Sequence, residues 1–473
     1  MTIASGTCGP NLTWTLSDDY ILTIEGTGAM ADYTMGDAPW YEYRTFLQSI
    51  IISSGVTTIG EYAFYRCVFY NISIASTVLT IKMDAFLDAG MSSITIPGTV
   101  QSIGRTAFQN CNYLSSVILG EGLVTIEMGA FMGCSALPTI SIPASVLSIE
   151  DLAFDSGARA SILASINVNE DNPNYSSVNG ILFNKSNTKL IRYPPAKPGT
   201  GYTIPDGVTN IASYAFHASA LQTILLPTTL LRIGASAFSQ CDMLTSLTIP
   251  DSVTEIEEDA FVYCAAMNTL TIGNGVTTIG VNICAGCTNM TSLTIGSHIE
   301  TIGAYAFYGC YALQLITLLA VPQTINIAAF ALGTDERTVL CQVKSPDNIA
   351  NGVLDAFKGD YTVFIYSPLA PPTTYEYLRI NNNKIQVDSA IRDGNGVRID
   401  TNYTRSDLTN LALHGVPSDG DTIVWKANEY RWAYGSGSGD AVRDVILNGE
   451  SVVTNNIAVI PITATRIRMA ELE

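Results

Sequence analysis

The chain has 473 residues, 47% of them hydrophobic and only 14% charged, with a formal net charge of −19. That length holds a large buried core, not a small disulfide scaffold, and so acidic a balance excludes attraction to nucleic-acid phosphate or to an anionic membrane surface. No apolar run approaches the roughly 20 residues of a membrane-crossing helix. The opening Met1-Thr-Ile-Ala-Ser-Gly6 lacks the basic and apolar regions of a secretory signal, so the expectation is a chain that stays where it is made or leaves by another route.

From residue 51 to 330 one phrase recurs. A phenylalanine after an alanine stands at Phe64, Phe86, Phe108, Phe131, Phe154, Phe216, Phe238, Phe261, Phe307 and Phe330, in steps of 22 or 23 where the series is unbroken. Cys284 takes the place of a phenylalanine between Phe261 and Phe307. An isoleucine precedes each of these positions by five residues, at Ile59, Ile81, Ile103, Ile126, Ile149, Ile211, Ile233, Ile256, Ile279, Ile302 and Ile325, which makes eleven repeats. The step of 62 from Phe154 to Phe216 exceeds one repeat by 39, so an insert falls at about 160–202.

A period of this size is that of leucine-rich repeats, in which each unit adds one strand and one tighter segment to a stacked coil. In Leu244-Thr-Ser-Leu-Thr-Ile-Pro250, the leucines and isoleucine alternate with Ser246 and Thr248, so the apolar set points inward and the hydroxyls outward. The proline stops the strand. The Ile-x-x-x-Ala-Phe segment is too short for a stable helix and reads as a turn or short 3₁₀ segment on the convex side. No unit can bury its own apolar edge, but stacked units bury one continuous core. The predicted fold is a mostly β repeat solenoid with a parallel sheet through residues such as 245–249, 268–272 and 291–295.

Seven of the ten cysteines, Cys67, Cys111, Cys134, Cys241, Cys264, Cys287 and Cys310, lie three residues after the phenylalanine position, where Ala89, Gly157, Ser219 and Gly333 stand in other repeats. Exchange among small residues identifies the position as a buried one that free cysteine fills, a structural thiol. Stacked side chains run parallel, not toward each other, which opposes disulfides between coils. Cys284 and Cys287 have half the spacing of a zinc knuckle, but no second pair accompanies them, so no metal and no cofactor is expected.

Catalytic signals are thin. His217, His298 and His414 have no motif neighbour that would make any of them a base, so each reads as a surface or packing residue, and no enzyme activity is expected. Asn169-Glu-Asp-Asn172 lacks the ordered ligand spacing of a calcium loop and reads as a solvated turn. Binding residues are sought instead on the outward strand positions. One column holds Ser73, Thr95, Ser141, Thr248, Thr271, Thr294 and Thr317; two residues earlier stand Ser93, Ser116, Thr139, Thr223, Ser246, Thr269 and Ser292. Threonine is a good β-former on any exposed strand, and the same rows would also tile a concave face with hydrogen-bonding groups suited to glycan or protein. Tyrosines at 62, 65, 214, 263, 305, 308 and 311 gather near the turns as candidate anchors.

After Phe330 the repeat fades. Residues 331–368 keep strand-like runs and read as the C-terminal cap of the coil, the proline-rich 369–383 as a linker, and 384–473 as a β-rich region with hairpin signals. A small hairpin module seldom holds itself together alone, so oligomerisation, as a trimer, is expected there.

The phrase IGxxAFxxCxxLxxLxIP followed by SVTEIEEDAF resembles the BspA-like, or Treponema-type, leucine-rich repeats of bacterial surface proteins. Residues 5–33 and 38–44 look like the N-terminal capping segment of that family, which makes 1–50 a β cap, and residues 166–195 resemble a hairpin excursion within such arrays. The resemblance covers roughly 5–360 and implies a right-handed solenoid used for adhesion. Residues 384–411 and 420–462 resemble β-rich modules of phage tail, fibre and head-decoration proteins. Together these imply a non-enzymatic recognition protein, either a phage virion fibre or decoration protein bound to other virion proteins through its C-terminal region, or a bacterial cell-surface adhesin. The absent export signal favours the virion. The expected partner is a cell-surface glycan or protein.

Overall fold

The computed structural model describes residues 1–330 apart from 156, 158–160, 321 and 327; beyond them it describes, as backbone alone, strands between 337 and 458. The fold is a mostly β, parallel solenoid of about 12 turns with almost no helix. It comprises two compact units, one of residues 1–267 and 280–288, the other of 268–279 and 289–473.

In the first unit an antiparallel meander, Thr2–Gly9, Leu12–Ser17 and Ile21–Gly26, leads into the repeat, and Ile21–Gly26 pairs in parallel with Ser49–Ile52. Most coils then supply a four-residue strand such as Ser93–Ile96 or Ser116–Leu119, these two being paired residue for residue. The repeat adds a second ladder that hydrophobic alternation does not reveal. Two-residue strands ending on the repeat isoleucine, Thr80–Ile81, Ser102–Ile103 and Thr125–Ile126, pair in parallel on the other side of the coil. Two residues are too few to show a period.

The Ala-Phe segments are hydrogen-bonded turns; the 3₁₀ segment among the described residues is Tyr41–Tyr43. Among the described residues, those two before and two after the repeat phenylalanines take left-handed backbone, as at Asp84 and Asp88, Thr106 and Asn110, and Ser236 and Gln240. Every second N–H of the turn then faces the next coil, as Asp84, Phe86 and Asp88 donate to Arg105, Ala107 and Gln109, while Ala85 and Leu87 between them close the turn on Lys82 and Asp84. The turns therefore stack by hydrogen bonds: Phe64 N–H donates to Ala85 O at 2.7 Å, Phe86 to Ala107 at 2.8 Å, Phe131 to Ala153 at 2.9 Å, and Phe216 to Ala237 at 2.7 Å. These bonds offset the cost of left-handed non-glycine residues, roughly 1–2 kcal/mol each. The rings stack with the turns at centroid separations from 5.0 Å for Phe64–Phe86 to 6.0 Å for Phe131–Phe154.

Trp40 caps this column. Its ring is fully buried and stacks 5.6 Å from Phe64, and its Nε1 donates to Ala63 O at 2.7 Å, the bond that a preceding turn would have made.

The insert forms a coil of its own, which accounts for about 12 turns where the isoleucine series numbers eleven. Ser165–Val168 joins the four-residue ladder beside Thr139–Ile142. Tyr175–Val178, Ile181–Asn184 and Lys189–Arg192 make an antiparallel excursion whose last strand pairs in parallel with Asn210–Ile211, and Tyr193 stacks 5.3 Å from Phe216. Asn172 anchors the excursion. It is buried, its amide donates to Pro143 O and Val146 O at 2.8 and 2.9 Å, and its Oδ1 accepts from the N–H of Asn174 and of Tyr175. The expectation of a solvated turn at 169–172 is thus corrected at Asn172, whose four bonds draw it inward.

In the second unit Thr269–Ile272, Ser292–Ile295, Leu315–Leu318, Arg337–Val343 and Tyr361–Tyr366 run in parallel, so strands continue through part of the stretch read as the cap. Thr374–Asn381, within the expected linker, is a strand antiparallel to Lys384–Arg392; the stiffening prolines at 368, 371 and 372 end before it. The rest of the expected linker and of the phage-like stretches, apart from short hairpin strands at 422–435 and 446–458, lies outside the described residues.

Candidate functional site

The outward rows are in register. Thr269 stands opposite Ser292, Thr271 opposite Thr294, and Thr294 opposite Thr317 in the second unit, and Thr223 stands opposite Ser246 in the first. Ser246, Thr248 and Thr269 are exposed, while Thr271, Ser292, Thr294 and Thr317 are half-buried. The rows are not purely hydroxyl, since Ile51, Ile118 and Leu225 occupy the same outward column as Ser73, Thr95 and Thr248, and Leu225 is 63% exposed. These apolar residues stand next to buried ones, so they blur the alternation and change the surface from wet to mixed. Of the tyrosines, Tyr65 is buried against Tyr41, Tyr62 and Tyr214 are half-buried, and Tyr263, Tyr305, Tyr308 and Tyr311 are exposed.

The structure places Cys67, Cys111, Cys134, Cys241, Cys264, Cys287 and Cys310 in the core, none of them in a disulfide. Each thiol in the middle of the column donates to the phenylalanine carbonyl of the preceding coil: Cys111 to Phe86 O at 3.2 Å, Cys241 to Phe216 O at 3.1 Å, Cys264 to Phe238 O at 3.0 Å and Cys287 to Phe261 O at 3.1 Å. Burial pushes Cys67 up to about 12, and burial with neighbouring thiols pushes Cys111 and Cys264 well above the ordinary thiol value, so thiolate chemistry is suppressed. Among the described residues no group of three metal-ligating side chains is found.

The insert creates a site that the motif search missed. In ordinary coils five residues separate the ladder isoleucine from the phenylalanine, as from Ile211 to Phe216; in the insert coil Leu190 pairs with Ile211, and Tyr193 follows it by three. The shortened turn leaves a partly open cleft of about 270 Å³ lined by residues of 149–155, 174–192 and 212–214. Asp155 and Arg192 line it, and His217 meets Asp155 beside it; all three are buried. His217 Nδ1 lies 2.7 Å from Asp155 Oδ2, Arg192 Nη2 lies 3.1 Å from the same oxygen, Arg192 Nη1 donates to Tyr214 O at 2.5 Å, and Gly157 N–H donates to Asp155 Oδ1 at 2.7 Å. Burial alone would raise the Asp155 carboxyl, but the Arg192 charge and the His217 contact more than offset it and hold it below the usual carboxylate range. His217, read from the sequence as a surface or packing residue, is buried, and its side-chain partner Asp155 lies 62 positions away and meets it only through the insert. The compressed Leu190-Ile-Arg-Tyr193 was the one visible signal.

Stacked coils with two parallel ladders, inward aliphatic columns and hydrogen-bonded turns define a leucine-rich-repeat solenoid. The model of the BspA type leucine rich repeat region matches residues 38–194 and 200–334, and the chain belongs to that family. It is similar to a leucine-rich repeat protein from Eubacterium ventriosum, at 27% identity over 75% of this chain and 95% of the other, with a TM-score of 0.57. It shares the fold of the pneumococcal vaccine antigen PcpA, at 21% identity over 76% and 98% with a TM-score of 0.60. No curated protein sequence matches it.

Proposed function

We propose that this chain is a non-enzymatic recognition protein of the bacterial cell surface that binds a glycan or protein partner across the outward faces of its strands. The observation that carries this reading is the register of those faces. Hydroxyls repeat at one position per coil, roughly every 4.8 Å, with exposed Ile118 and Leu225 among them, so a long polymer meets the same chemistry many times. Single contacts with such a surface gain little from burial or charge, and repetition supplies avidity.

The test is a paired substitution, Ser93→Glu with Thr95→Glu, and Ser246→Glu with Thr248→Glu, in the full chain. Because these side chains are exposed, folding stability should move by no more than about 0.5 kcal/mol. Binding to mucin-coated surfaces or to epithelial cells should fall at least tenfold. Undiminished binding by both pairs overturns the reading. Placement on a phage particle, with the C-terminal region attaching a trimer to other virion proteins, is supported by the motif resemblance of 384–411 and 420–462; fractionating producing cells from particles separates it from the cell-surface placement.

A further inference from the structure

Tyr305 and Tyr308 repeat an arrangement that an early coil also contains. They stand two before and one after Phe307, as Tyr62 and Tyr65 stand about Phe64. Each pair meets edge to face, with centroids 5.8 and 6.1 Å apart and rings at 84° and 82°. Their cover differs. Tyr65 is only 5% exposed, because the Tyr41 ring lies parallel to it at 6.0 Å and the Arg66 guanidinium sits 5.0 Å over its ring. Tyr308 is 49% exposed. The place of Arg66, two after the phenylalanine and left-handed at φ 54°, is taken at φ 73° by Gly309, which has no side chain to lay over a ring. In the register of the repeat, Tyr41, which follows Trp40, corresponds to Ala285, which follows Cys284.

Charge selects what takes the place of that cover. Between Arg232 and Arg337 the sequence has no lysine or arginine, while acidic residues stand at 242, 251, 255, 257, 258, 259, 300, 335 and 336. With −19 on the whole chain, a cation is drawn toward the protein and meets no like charge from that stretch. A tyrosine face attracts a cation through its ring quadrupole, and a planar, weakly hydrated guanidinium stacks there better than an ammonium. The N-terminal coils use this pairing at Arg66 over Tyr65 and at Arg44 over Tyr41, the latter 4.4 Å from the ring centroid. There the chain supplies its own arginines; between 233 and 336 it has none to supply.

We propose that the turn face of Tyr305 and Tyr308 docks a basic protein segment, an arginine of which lies over Tyr308 as Arg66 lies over Tyr65. This deepens the protein side of the recognition reading. The surface belongs to a turn and not to the strand rows, so the strand-face variants and the tyrosine variants fail independently. The test is calorimetric titration of the full chain, at physiological salt to screen diffuse attraction, with octapeptides alternating glycine with arginine, lysine or uncharged citrulline. The arginine peptide binds saturably, the lysine peptide roughly threefold more weakly, and the citrulline peptide at least roughly tenfold more weakly. Tyr308→Ala lowers affinity for the arginine peptide roughly threefold, whereas Tyr308→Phe keeps the ring face and stays within about twofold. Tyr305→Ala with Tyr308→Ala removes both rings and lowers it at least roughly tenfold; both side chains are exposed, so the thermal transition is retained. Unchanged binding by the folded double variant, or equal affinity for the arginine and lysine peptides, means attraction by net charge alone and overturns the inference. So does tyrosine-dependent binding of cellohexaose, a neutral glycan, without binding of the arginine peptide.

Discussion

Replacing Trp40 by phenylalanine tests how the solenoid is closed at its first turn. The indole Nε1 is the donor to Ala63 O among the described residues, so Trp40→Phe leaves that carbonyl buried and unmet, a cost of about 1–3 kcal/mol. The smaller ring also retreats from the edge contacts with Trp14 and Tyr33, whose centroids lie 5.9 and 5.8 Å away, for about 0.5–1.5 kcal/mol more. Stacking on Phe64 survives in part, so the expected loss is about 2–4 kcal/mol, approaching that of truncation to alanine. In a repeat array each coil contacts only its neighbours, so the damage is local. Native-state hydrogen exchange is the assay. The N–H groups of Phe64 and Phe86 should exchange roughly 30- to 1000-fold faster, which is that loss expressed as an equilibrium constant, while Phe238 and Phe261 hardly change. Uniform acceleration along the chain, or a loss under 1 kcal/mol at Phe64, refutes the capping argument.

Asn172→Ala should cost about 3–5 kcal/mol, since two carbonyls and two N–H groups lose their partner together, and limited proteolysis should then cut within 169–189 while leaving the earlier coils intact. The native thiols should react with a maleimide only at the rate of unfolding, and because their folded values are raised, the stability they support is whole below about 9.0 and drains away as pH climbs toward 12, read by denaturant melts. Asp155 behaves in the opposite sense: its folded value is depressed, so its contribution is full above the ordinary carboxylate value near 3.9 and is lost as pH falls through the lower folded value. The stability difference between wild type and Asp155→Asn should therefore shrink on acidification from about pH 5 to pH 3; a difference that grows instead contradicts the assigned pairing.

The coil itself was legible in the sequence because a solenoid's contacts are between equivalent positions of neighbouring units. A side chain that faces inward in one unit meets its own counterpart in the next, so the columns of Ile81 and Ile103, of Phe86 and Phe108, and of Cys241 and Cys264 could be read from spacing alone. The alternation of Ser246 and Thr248 with Leu247 and Ile249 likewise fixed which face is outward. Three features were decided only in three dimensions. The two-residue ladder carries too short a pattern to register, and Trp40 closes the ring column through one indole N–H that no periodicity encodes. The third is the cleft, where Asp155 and His217 meet across 62 residues because the insert folds into a coil two residues too short in its turn. Periodic sequence dictates contacts between like positions; a break in the period brings unlike positions together, and which ones meet depends on how the excursion packs. That packing, and not any local motif, gathers Asp155, Arg192 and His217 in one buried cluster.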